Sequence, residues 1–216
     1  MPAFTFPELA DEVYAYCDLC EDFVYRQIPP DRRSYYIRAG IEMGRQAAQE
    51  YAGQDLVALM ENDGVQILRL LTESETGIRS QICYDGKHRQ LDLFAGTAAK
   101  ISKALADTDC PLTAGQVEQM FLAHEFYHWL GYSSHLTSDL RCEAVRKKLL
   151  GLIPRNIRIR STEEIAAFTF TKEWCNLSVH PKAIDYLLLF QGYGYSIRKI
   201  YECFQDLSEQ YRADCM

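Results

Sequence analysis

His124-Glu125-Phe126-Tyr127-His128 is the stretch that decides how this chain is read. It has the form H-E-x-x-H and sits among the apolar residues Phe121, Leu122, Ala123, Trp129 and Leu130. On a helix, positions i and i+4 lie on one face, one turn apart. Two imidazoles placed so can reach one zinc ion, at roughly 2.0–2.1 Å from each nitrogen. Glu125 then projects close to the same face, where it can take a proton from a water activated by the metal. Two histidines bracketing a glutamate on an otherwise apolar helix are hard to explain without a metal, because buried polar groups need partners. Thr113-Ala114-Gly115-Gln116 is a capping-box pattern, so the helix is predicted to start near Ala114. Gly131 suits the position just past its end.

The chain has 216 residues, enough for a sizeable core in one domain. The reading is a single domain over 1–216: an N-terminal helical portion over 1–54, a sheet and metal-site core over 55–180, and C-terminal helices over 181–216. Composition is that of a globular protein, 48% hydrophobic and 25% charged. The net charge of -7 argues against nonspecific nucleic-acid binding, which needs a basic surface. Met1 to Leu9 has no basic n-region followed by a long apolar core, so no secretory signal is read there. No apolar run approaches the ~20 residues of a membrane span. A cytoplasmic protein without nucleic-acid or membrane partners is expected, with its eight cysteines as free thiols. Cys17-x-x-Cys20 has the spacing of half a zinc site, but no second C-x-x-C follows. With Val13, Phe23 and Val24 around them, Cys17 and Cys20 are read as core thiols.

Apolar residues recur at helical spacing over 7–27, and Pro29-Pro30 stops that run. Asp31 is placed as the cap of a second helix reaching about Tyr51, in which Gly40 and Gly44 permit close packing. Leu56 to Glu61 is a short helix closed by Asn62-Asp63-Gly64. The period then becomes two: 65–70, 78–84 and 89–94 alternate as strands, with Asp85-Gly86 as a hairpin turn. A small, largely antiparallel sheet before the motif helix follows. Further helices are predicted at 97–107, with Thr97 as cap, and at about 138–151, 162–177, 182–191 and 196–212. Pro181 suits the first turn of the 182–191 helix and Gly192 its end.

A catalytic zinc needs a third protein ligand and an open fourth position. Four candidates follow the motif. His135 nearly completes H-E-x-x-H-x-x-G-x-x-H but stands one residue late, and no methionine turn follows. Glu143 opens a stretch rich in Arg146, Lys147 and Lys148, where it can pair along a helix. Glu164 belongs to Glu164-Ile165-Ala166-Ala167-Phe168-Thr169, a helix apolar enough to lie beside the motif helix, and is the residue chosen. Ser161-Thr162-Glu163-Glu164 is also a capping box, so Glu164 has a structural alternative and its neighbour Glu163 a metal-binding one.

The segment Phe121 to Leu130 resembles the zinc helix of the ImmA/IrrE-type metallopeptidases, in which A-H-E-x-x-H is followed by apolar residues. The third ligand of that family is a glutamate in an E-A-x-x-F-A segment on a later helix. Glu164 matches it, with Phe168 four residues on; Ile165 and Thr169 stand where alanine is commoner. The likeness spans roughly residues 55–180. It implies an α+β, zincin-like fold, mostly helical, and a gluzincin with Zn2+ held by His124, His128 and Glu164. Members often carry a helix-turn-helix module or work with a repressor, and no such module is read here.

The expected activity is hydrolysis of a peptide or protein, with Glu125 as general base and a specific regulatory protein as a possible substrate. Tyr127, Tyr132, His135 and His180 are the candidate oxyanion donors. A strand edge at Arg89 to Phe94 is the candidate docking line for an extended substrate. The alternative is a non-catalytic protein of the same fold that binds a regulatory partner. A structural zinc on Cys17 and Cys20 would need four closed ligands.

Overall fold

The computed structural model describes residues 4–74, 78–85, 87–149 and 153–216. The motif helix, α5 (Ala114–Ser134), runs through the middle of the molecule. Its buried residues Val117, Phe121, Phe126, Tyr127 and Trp129 point to several sides, as in a helix enclosed by neighbours. The predicted capping box is present: Thr113 Oγ1 accepts from Gln116 N, and the Gln116 side chain accepts from Thr113 N. The helix runs one turn past the predicted end, to a left-handed His135 (φ 54°). Gly131 is therefore helical. Its lack of a side chain serves a close approach instead, since a Cβ there would lie 2.9 Å from Glu163 Oε1.

Before α5 come α1 (Asp11–Glu21), α2 (Pro30–Glu50), α3 (Leu56–Asn62), strands β1 (Gln66–Leu70), β2 (Ser80–Tyr84) and β3 (Arg89–Phe94), and α4 (Ala95–Leu105). The first helix is shorter than its apolar period suggested, and a 3-10 turn at Tyr25–Gln27 replaces its end. Pro30 begins α2, where its missing N–H costs nothing, so the Asp31 cap is not needed. Thr97 does not cap α4, which starts at Ala95; its hydroxyl accepts from Ser74 N.

The sheet is mixed, not largely antiparallel. Its order is β1-β3-β2, with β1 parallel and β2 antiparallel to β3. Gly86 of the predicted hairpin turn lies outside the described residues; beside it, Asp85 Oδ1 accepts from Lys87 N and His88 N. β3 is the central strand, with Leu91 and Leu93 buried, so it cannot offer a substrate a free edge. Among the described residues, the strand beside α5 with no strand on its outer edge is β2.

After α5 come α6 (Ser138–Arg141), the antiparallel pair β4 (Val145–Leu149) and β5 (Ile153–Ile157), then α7 (Ser161–Trp174), α8 (Pro181–Gly192) and α9 (Ile197–Cys215). The helix predicted over 138–151 is thus a single turn followed by a strand. Cys142 is extended (ψ 155°), and Val145 and Ile157 pair across the hairpin. Residues 150 and 151 of that prediction lie outside the described residues.

α7 is wedged between α2 and α5. Gly40 and Gly44 make this possible: a Cβ on Gly40 would meet Ile165 Cγ2 at 2.7 Å, and one on Gly44 would collide with the Ala166 carbonyl. One apolar core joins Tyr36 and Ile41 of α2, Leu91 of β3, Phe126 of α5, Phe170 of α7 and Phe204 of α9. Among the described residues, no helix is long and apolar enough to cross a membrane.

Candidate metal centre

The α5 face that carries His124 and His128 meets the first turn of α7, which carries Glu163 and Glu164. The two imidazoles point at each other, Nε2 to Nε2 at 3.1 Å. Glu164 closes the triangle, with Oε2 3.4 Å from His124 Nε2 and Oε1 3.5 Å from His128 Nε2. Two ligands about 2.0–2.2 Å from one tetrahedral ion lie roughly 3.3–3.6 Å apart. The three groups thus sit close to the face of a tetrahedron of the right size and could hold a metal ion. They form the one cluster of three such side chains within this reach among the described residues. The Glu164 side chain is half exposed, which leaves room for a fourth position.

Charge and protonation suit this use. Burial opposes ionisation of Glu164, but His124 and His128 outweigh it and hold the carboxyl down at about 2. It is therefore a carboxylate at neutral pH, as a ligand must be. For His128, burial favours the neutral ring, yet Glu163, Glu164 and Glu125 together raise its pKa.

Glu163 has a different place. Its Oε2 accepts from Ser138 N at 2.5 Å, and its Oε1 faces His128 Nδ1 at 3.6 Å. Both of those last atoms are buried and have no hydrogen-bond partner. Glu163 therefore stands behind His128, on the side away from Glu164. A carboxylate there fixes a histidine's ring and tautomer, keeping Nε2 free for a metal. Ser161 does not cap α7: Arg160 takes the cap position without a side-chain bond, so Glu164 is left free to face the histidines.

The other ligand candidates are elsewhere. His135 ends α5, and Glu143 is exposed and paired with Arg32 at 2.7 Å. Cys17 is buried, with its thiol donating to Val13 O, while Cys20 is exposed, contrary to its reading as a core thiol. All eight cysteines are free.

Glu125 lies beside the triad and is held by β2. Its Oε1 accepts from Ser80 Oγ at 2.8 Å and its Oε2 from Ile82 N at 3.1 Å. Sequence reading missed both partners, because they lie more than forty residues upstream and nothing local links them to the motif. Of the four oxyanion candidates, Tyr127 is committed to Ser138 and His180 to the N-terminus of α8. Tyr132 stacks on the His128 ring, with centroids 6.3 Å apart. The arrangement offers three side chains that could hold a metal ion, a carboxylate at their side and an adjoining strand edge.

No family model matches the chain, and neither a curated protein nor a solved structure does.

Proposed function

We propose that this chain is a zinc-dependent peptidase of the gluzincin kind, akin to the ImmA/IrrE-type metallopeptidases. The observation that carries the reading is the His124–His128–Glu164 triangle with Glu125 next to it. Zinc suits two imidazoles, one carboxylate and an open position, and when bound it would polarise a peptide carbonyl and acidify water.

The rest falls to the chain. β2 holds the Glu125 carboxylate through Ser80 and Ile82, so it need not search for its orientation. Glu125 takes one proton from the attacking water as the oxygen bonds to the carbonyl carbon. It gives that proton to the amide nitrogen as the C–N bond breaks, and the second proton of the water follows to the same nitrogen, leaving a carboxylate and an ammonium group. The free edge of β2 is the docking line for an extended peptide. Phe94 N donates to Arg79 O and Asp85 N to His88 O, so the odd positions of β2 face β3. The backbones of Ser80, Ile82 and Tyr84 then face outward by the alternation of an antiparallel pair; with Ile82 N given to Glu125, the carbonyl of Ile82 and the backbones of Ser80 and Tyr84 are the groups that would meet a peptide. Eight free thiols suit a reducing cytoplasm.

Zinc content and hydrolysis of a peptide library, measured on the parent, Glu125→Gln and Glu164→Ala, test this. One zinc per chain is expected in the parent and in Glu125→Gln, with hydrolysis falling about 10²–10⁴-fold in the latter. Undiminished hydrolysis in Glu125→Gln would remove Glu125 as the base. A parent that takes up no zinc on reconstitution would remove the peptidase reading altogether.

A further inference from the structure

Charge is unevenly spread along this chain. Residues 141–160, which contain β4 and β5, hold seven of its 23 Lys and Arg but only one of its 30 Asp and Glu, Glu143. The rest of the chain is therefore more acidic than the net charge of -7 says. Glu143 is already given to Arg32 at 2.7 Å, so it does not neutralise its basic neighbours. Arg141, Arg146, Arg155, Arg158 and Arg160 are exposed, and among the described residues none of them has a carboxylate partner. Other arginines do meet carboxylates: Arg69 pairs with Glu118, Arg89 with Asp63 and Arg33 with Asp214. Arg158 is nonetheless held in place, since its Nη1 donates to Cys142 O at 2.7 Å.

Two adjoining hollows lie on this hairpin. One, of about 470 Å³, is lined by Arg32, Arg146, Asn156 and Arg158. The other, of about 270 Å³, is lined by Phe23, Arg155, Asn156, Arg158 and Arg160. Asn156 and Arg158 belong to both, so one ligand can occupy the two together. Phe23 is a large apolar side chain left 81% exposed beside those arginines.

An unpaired guanidinium keeps its fork of donors open to a carboxylate, and clustered arginines recognise acidic motifs. The exposed ring favours an occupant that also brings an apolar group. A nucleic acid carries charge along its whole length, about one per 1.7 Å of duplex, and would run off strands of five residues onto acidic surface. A bilayer surface is flat and would leave the hollows unfilled. A short protein segment can place its charges only where the arginines are. We propose that this face docks an acidic segment of a partner protein, with carboxylates on Arg146, Arg155, Arg158 and Arg160 and one large apolar side chain on Phe23. His124, His128 and Glu164 line neither hollow, so the docking is independent of the metal centre.

Fluorescence polarisation on full-length Glu125→Gln protein, which keeps a probe uncut, tests this. The probe is a labelled peptide of about twelve residues, Asp and Glu around one central Leu, read at ~50 and ~150 mM NaCl. Saturable binding that weakens at the higher salt is expected. Adding Arg146→Glu/Arg155→Glu is expected to weaken it at least tenfold. Arg198→Glu/Lys199→Glu, the same charge change at exposed positions of α9, is expected to leave it within about twofold. Phe23→Ser is expected to cost about fivefold with the leucine probe and nothing with a probe carrying Ser in its place.

No saturable binding at the lower salt, or an equal loss in the α9 variant, overturns the proposal. So does tighter binding of a single-stranded oligonucleotide or of phosphatidylserine vesicles that is lost in the same hairpin variant. Should the reversed variant lose its circular dichroism signal, Arg146→Gln/Arg155→Gln replaces it, and unchanged binding there also overturns the proposal. The assay reads binding without turnover or zinc, so its outcome is separate from that of the peptidase reading.

Discussion

If the triangle holds the proposed zinc, replacing Glu163 by glutamine should cost metal affinity although Glu163 stands outside the triangle. Its Oε2 accepts from Ser138 N, and its Oε1 stands 3.6 Å from His128 Nδ1, two atoms with no other partner. Glutamine keeps the volume but makes one end of the group a donor. If the amide keeps its oxygen on Ser138 N, its NH2 faces Nδ1, the ring proton moves to Nε2, and the metal-facing atom is blocked. If the amide turns over, its NH2 meets the Ser138 N–H and leaves that buried donor unpaired, which costs about 1–3 kcal/mol. Either route predicts roughly 10–100-fold weaker binding, or about 1.4–2.8 kcal/mol. Competition against a chromophoric chelator at neutral pH reads this directly, with Glu164→Ala as the variant that loses a ligand outright. Metal affinity of Glu163→Gln within twofold of the parent, in a protein of unchanged melting behaviour, would refute the role given to Glu163.

Three further outcomes follow from the geometry. Gly44→Ala would push a methyl into the Ala166 carbonyl and within 2.7 Å of Thr169 Cβ, so stability should fall by about 1–3 kcal/mol, read from the urea midpoint; an unchanged midpoint would mean α2 and α7 are less tightly joined. His180 is buried, and that burial, aided by Lys172 and Lys182 and opposed by Asp11, presses its pKa down to about 3. Its contribution is therefore complete above the unfolded value near 6.5 and is lost as pH falls from there towards 3, at up to about 1.4 kcal/mol per pH unit. His180→Asn, which can still cap α8, should flatten that part of the stability–pH curve, and superimposable curves would count against a neutral buried ring. Finally, zinc at 100 times its Kd should raise stability by about 2.7 kcal/mol and the melting temperature by about 5–10 °C, a gain that a chelator removes and Glu164→Ala never shows.

The helix that carries the motif could be read locally because its signals are local. Thr113 and Gln116 cap it within one turn, and His124, Glu125 and His128 share a face by helical spacing alone. The glycines at 40 and 44 also announced a close contact, although not its partner. Failures came where a distant neighbour decides. Arg146, Lys147 and Lys148 fit a charged helix, but pairing of Val145 with Ile157 makes the segment a strand. The periods of 65–70, 78–84 and 89–94 identified three strands, yet alternation carries no order. That β3 lies in the centre, parallel to β1, and that β2 has the free edge, follows from how the chain crosses over.

The same division holds at the site. Sequence by itself determined two histidines and a glutamate on one helical face, and reduced the third ligand to a few acids and a histidine, because an α-helix fixes which residues share a face. Only the tertiary structure shows which of those candidates stands beside the histidines. The packing of α7 against α5, allowed by Gly40, Gly44 and Gly131, turns Glu164 onto the histidines and puts Glu163 behind His128. It also brought Ser80 and Ile82 to Glu125, and Arg79 to Asp185, contacts that span 45, 43 and 106 residues of chain. No local spacing encodes such pairs; they exist because burying the apolar faces of α5, α7 and β2 together leaves one arrangement in which their polar groups find one another.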